Sequence, residues 1–100
     1  MTDYDFSWLD ESGVTQGEFA QLTGATRGTV SNWVHGKSKP TSAYRKIVGK
    51  YLALLHQAIR LGYLPSDLPS VYKANMPARK KYIRDALKAT VEEIRKRRDN

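Results

Sequence analysis

Within "GATRGTVSNWVHGKSKP", residues 24–40, three side chains carry specific hydrogen-bonding chemistry. Arg27 can fork onto the O6 and N7 of guanine, Asn32 can pair with the N6 and N7 of adenine, and Ser31 can pair with either base. On a helix, Gly28 and His35 share their side, while Thr26, Val30, Trp33 and Val34 fall on the other. The segment has two faces with two jobs, one turned to a core and one turned outward. Lys37 and Lys39 follow at once and place positive charge where a polyanion backbone would run. The chain shows no nucleophile–base pair, phosphate loop or metal cluster, so no enzyme, cofactor or metal is expected. It has no cysteine, and His35 and His56 match no local zinc spacing.

The charge distribution points the same way. The net charge is +7 over 100 residues. Residues 1–24 hold five acids and no Lys or Arg, residues 25–62 hold seven bases and no acid, and residues 63–100 hold ten bases and five acids. Solubility is served by mixed charge, so a block of bases without a carboxylate fits a polyanion partner better. No apolar run is long enough for a membrane span, and the first 24 residues have neither a basic nor an apolar leader pattern. The expectation is a soluble cytoplasmic protein with no membrane partner.

Helices must hold the outward face in place. Gly and Pro punctuation and 3–4 spacing predict helices at Phe6–Glu11, Gln16–Thr23, Arg27–His35, Ala43–Leu61 and Pro77–Arg98. Thr15 with Glu18 forms a capping box. Gly24 suits a left-handed helix stop, and Thr26 suits an N-cap. Thr41 or Ser42 can cap the fourth helix, Gly62 can close it, and Asn75 can cap the last. Leu64–Asn75 reads as a connector with a helical turn around Asp67–Tyr72. Tyr44, Ile47, Val48, Tyr51, Leu52, Leu55, Ala58 and Ile59 form a stripe that makes the fourth helix the core's pillar. His56 reads as a residue of that helix's surface. The fold class is all-α, a domain of about four helices over residues 1–62, a connector over 63–76 and a C-terminal basic amphipathic helix over 77–100.

Offsets within residues 15–40 carry more. Ala20 is a small residue at mid-helix, Gly24 follows four later and Val30 six after that, with Phe19, Ala25 and Trp33 around them. A helix-turn-helix needs a small residue at the crossing, a turn residue that accepts positive φ and a branched apolar residue facing back. "TQGEFAQLTGATRGTVSNWVHGKSKP" resembles the helix-turn-helix of the lambda-repressor/Cro class, also called XRE-like. The T-Q-x-E-x-A start, G-A-T turn, V-S-x-W and trailing G-K-x-x-P carry the resemblance, over about residues 14–55. It implies a helical DNA-binding domain, usually dimeric on a two-fold symmetric operator. It further implies that Gln16 touches a phosphate and braces the recognition helix, that Arg27, Ser31 and Asn32 read bases, and that Thr26, Thr29, His35, Lys37, Ser38 and Lys39 lie near the backbone. Gly28 sits where the class often has a base-reading side chain, leaving either no readout or a close approach of the backbone. The acidic segment before Thr15 is shorter than usual, Thr23 replaces an apolar residue, and everything from Leu64 onward lies outside the resemblance.

In "PARKKYIRDALKATVEEIRKRRDN", Ile83, Leu87, Val91 and Ile94, with Thr90 between them, make a narrow stripe near heptad spacing. Pairing with a second copy is the first expectation, and packing on the chain's own fourth helix is the second. The clusters Arg79–Lys81 and Arg95–Arg98 read as solvated charge or added phosphate contacts. The expected function is a sequence-specific, double-stranded DNA-binding regulator of transcription, a homodimeric repressor of phage or mobile-element type. Two other classes stay open: a DNA-packaging recognition subunit of the small-terminase kind, and an antitoxin-type repressor with a protein partner.

Overall fold

In the computed structural model, which describes residues 4–64 and 76–99, the chain is all-α. Its helices are α1 (Ser7–Ser12), α2 (Gln16–Thr23), α3 (Arg27–Val34), α4 (Ser42–Leu61) and α5 (Met76–Asp99). The expected ends agree to within about one residue, the usual fraying range. The expected connector turn and the Asn75 cap lie outside the described residues. No helix among those described is long and apolar enough to cross a membrane.

The fourth helix is the pillar that its stripe implies. Val48, Leu52, Leu55 and Ala58 are buried, flanked by half-buried Tyr44, Ile47, Tyr51 and Ile59. The helices α1, α2 and α5 all pack on it, and α3 packs on α2. Neither Thr41 nor Ser42 caps it with a side chain; Thr41 stands at the N-cap without a hydrogen bond from its hydroxyl. Pro40, just before it, is buried.

Length explains where α5 goes. At 1.5 Å per residue, the 20 residues of α4 span about 30 Å, whereas the eight of α2 span about 12 Å. Much of the α4 stripe therefore needs another cover. Ile83, Ala86, Leu87 and Thr90 of α5 supply it and are buried. The Thr90 hydroxyl donates back to the Ala86 carbonyl at 2.7 Å, so this polar residue is accommodated in the core. This corrects the assignment of Ile83 and Leu87 to an oligomer interface, because both are already used inside the chain. Val91 and Ile94, the other two residues of that stripe, stay half-exposed. His56 also departs from a plain surface role: its ring stacks on Trp8 at 4.2 Å between centroids, joining α1 to α4.

A buried ion pair fixes the start of α5. Arg79 donates from Nε and Nη2 to the two Glu18 carboxylate oxygens, each at 2.7 Å, and from Nη2 to the Gly13 carbonyl at 2.9 Å. The residues are 5% and 7% exposed, so Arg79 is no part of a solvated basic cluster. Burial alone would raise the Glu18 carboxyl. Hydrogen bonds from Arg79 and from the Thr15 backbone, with the Arg79 charge, outweigh it and hold the group below its ordinary value.

Two outcomes follow from this packing. Leu87→Ala should lower the unfolding free energy by about 2–5 kcal/mol, read by urea denaturation, with the loss unchanged across a hundredfold range of protein concentration. A loss that grows on dilution would instead place Leu87 between copies. Glu18→Gln should cost about 3–5 kcal/mol at neutral pH, because it strands a buried guanidinium. A depressed carboxyl stabilises the fold above its unfolded value of about 4.3 and loses that contribution as pH falls through the lower folded value. The gap between wild type and Glu18→Gln should thus be full at pH 6 and shrink below pH 4; a pH-independent gap would reject the charged pair.

Candidate nucleic-acid interface

The turn between α2 and α3 is built as its residues require. The Thr15 amide donates to Glu18 Oε1 at 2.9 Å, and the Glu18 amide donates to Thr15 Oγ1 at 3.1 Å, closing the capping box at the start of α2. Gly24 has φ +81°, and its amide and that of Ala25 both bond to the Ala20 carbonyl. An L side chain is strained in that conformation, so glycine is needed for the chain to turn there. Thr26 then caps α3, accepting from the Thr29 amide at 3.2 Å. Buried Thr23 donates its hydroxyl to the Phe19 carbonyl at 3.0 Å.

Aromatic packing sets the rotation of α3. Val30 and Trp33 are buried. The Trp33 ring stacks on Phe6 at 6.5 Å and meets Tyr44 of α4 edge-on at 5.5 Å; Phe6 in turn meets Phe19 edge-on at 6.4 Å. Such ring pairs add about 0.5–1.5 kcal/mol each beyond the area they bury. Phe6 and Tyr44 were not singled out as positioning residues. The signal available was the crowding of Tyr4, Phe6 and Trp8 into the first eight residues.

With that side fixed, Arg27, Gly28, Asn32 and His35 are exposed and Ser31 is half-buried. The Arg27 stem lies against α2: a Cβ built on Gly17 would sit 3.9 Å from Arg27 Cδ. Nothing in the fold lies within 4 Å of a Cβ built on Gly28, so no internal contact demands glycine there. The Asn32 carbonyl accepts from the Lys37 amide at 2.8 Å and, more weakly, from Ser38 at 3.4 Å. These bonds tie the exposed Lys37–Ser38–Lys39 turn to the end of α3.

Three expected contacts change in detail. Thr26 and Thr29 join hydroxyl to hydroxyl at 2.9 Å, which uses one of their two protons and leaves a single outward donor. His35 Nδ1 lies 2.8 Å from the Ser31 carbonyl, which only accepts, so Nδ1 carries the proton. The outer nitrogen, Nε2, is then the one that can face a ligand. Gln16 opens α2 half-buried, but among the described residues its side chain makes no hydrogen bond that braces α3.

The assembled surface is a rigid helix face with fork and amide donors, bordered by a tethered basic turn. Searches against protein-family models, curated proteins and solved structures find nothing that matches this chain. Replacing Thr26 by Ala should cost about 1 kcal/mol of stability by unmaking the α3 cap, measured by thermal or urea unfolding. A neutral result would show that the aromatic contacts alone fix where α3 begins.

Proposed function

We propose that this protein binds double-stranded DNA in a sequence-specific way, inserting α3 into the major groove, and regulates transcription by occupying its site. The observation that carries the reading is the division of α3. Trp33 and Val30 are locked inward, while Arg27 and Asn32 are exposed, and their polar side-chain ends make no hydrogen bond or ion pair among the described residues. The resemblance of residues 14–55 to the lambda-repressor/Cro class supports the same reading. Ser31 and Gly28 complete the base-facing set. Lys37, Ser38, Lys39 and one threonine proton of the Thr26–Thr29 pair serve the backbone. His35, exposed at the end of α3, stands with the backbone set. A repressor acting by occupancy needs no further chemistry from the chain. A two-fold pair would place two α3 helices about one DNA turn apart, and its contacts must come from surface such as Val91 and Ile94 that the core leaves open.

Gly28 sharpens the proposal. Glycine in a helix costs about 0.5–1 kcal/mol relative to alanine, and the fold has open space at this position. A close approach of the DNA would account for it.

Selection of bound sequences from a random duplex pool tests specificity, symmetry and half-site spacing together. On the selected site, Arg27→Ala and Asn32→Ala should each cost about 1–3 kcal/mol, with little loss on random DNA. Gly28→Ala should raise the melting temperature yet weaken site binding. Equal losses on selected and random DNA would remove Arg27 and Asn32 from base reading, and unchanged affinity in Gly28→Ala would leave that glycine unexplained.

A further inference from the structure

The face of the molecule beside α3 continues onto α5. The Arg27 stem lies 3.9 Å from where a Cβ on Gly17 would be, and Gln21, four residues later on the same side of α2, is exposed. Beyond Gln21 lies an open groove of about 680 Å³ between α2 and α5. Gln21 and Leu22 form one bank, and Lys80, Ile83 and Arg84 form the other. Lys80 and Arg84 are exposed. Among the described residues neither has a carboxylate at ion-pair distance, whereas Lys81 is paired with Asp85 and Arg97 with Glu93. Glu18, which also lines the groove, is neutralised by Arg79. Among the described residues the rim thus presents two exposed cations outside any ion pair, over a short apolar floor and beside exposed Gln21 of α2.

We propose that Lys80 and Arg84 form a second phosphate-binding element that grips the DNA backbone flanking the site read by α3. The inference rests on the DNA-binding reading above. Its occupant is duplex phosphate, because the rim offers exposed positive charge beside the face proposed to meet DNA. The groove puts the rim across α2 from Arg27, so it meets backbone outside the bases that α3 contacts. The Arg79–Glu18 pair holds this placement constant, since it fixes the start of α5 to the start of α2. The element supplies affinity without reading sequence.

The test uses the full chain and two duplexes carrying the selected site, one trimmed to it and one with eight flanking pairs on each side. In the flanked duplex, Lys80→Gln/Arg84→Gln should flatten the salt dependence by about two units and weaken binding roughly tenfold or more at 0.1 M salt. On the trimmed duplex it should match wild type. Lys50→Gln/Arg60→Gln removes the same charge from exposed positions on α4 and should leave both slopes unchanged. Equal loss in the two double variants would reduce the effect to net charge and overturn the proposal. So would an unchanged slope on the flanked duplex, or a loss that appears only with an acidic protein ligand. Each of these failures leaves the DNA-binding reading intact as long as wild type binds and Arg27→Ala does not; a wild type that binds neither duplex overturns both.

Discussion

The carboxylate of Glu18 is the point at which the pieces of this small protein are joined. One oxygen accepts the Thr15 amide and so completes the start of α2, and both accept the guanidinium of Arg79. The same guanidinium reaches the Gly13 carbonyl at the end of α1. A cap, a turn and a helix 61 residues away in sequence thereby share one buried charge. Taking two ions out of water costs several kcal/mol each, and the attraction offsets this only when the geometry is good and the remaining hydrogen bonds are made. Here the bidentate contact and the two backbone partners meet that condition. The pair fixes position more than it adds stability: with it in place, α5 can lie on α4 in one register.

That division of labour extends to α3. Its inward Trp33 is held by rings from the N-terminal segment and α4, and the first of these, Phe6, is held in turn by Phe19 of α2. Its outward side chains make few contacts with the rest of the fold: the Arg27 stem lies near α2, and Ser31 and His35 hydrogen-bond with each other. Substitution on the outward face should therefore alter what is bound with little effect on the fold, whereas substitution at Trp33 would disturb both. The tether from the Asn32 carbonyl to the following turn moves Lys37 and Lys39 with the helix as one body.

Local chemistry was legible in the sequence and long-range pairing was not. The box at Thr15, the stop at Gly24 and the cap at Thr26 depend on residues a few positions apart, and all three form as their types require. The α4 stripe was legible because helical period alone defines a buried face. The partner of Ile83 and Leu87 was not, because a narrow apolar stripe fits a second copy or the chain's own core equally well. Only the excess length of α4 over α2 and α3 decides it. Arg79 was hidden for a related reason: beside Lys80 and Lys81 it looks like solvated charge, and no local pattern links it to Glu18. In the candidate site, exposure of Arg27 and Asn32 follows from periodicity. The sharing of protons between Thr26 and Thr29 and the His35 tautomer need coordinates.

With Ile83 and Leu87 inside the core, the far end of α5 acquires a different character. Past Thr90 it offers half-exposed Val91 and Ile94 and then four successive cations, Arg95 to Arg98. Two copies meeting there would gain a modest apolar contact and bring eight cations close together. Their repulsion is strong at low salt and is screened within about 8 Å at physiological ionic strength. A bound polyanion would relieve it more completely than salt does. Pairing through this end and DNA binding would then be thermodynamically linked, each strengthening the other by the same factor. Pairing that depends on DNA also suits the geometry, because two α3 helices gain nothing from a fixed separation until there is a groove on each side to receive them.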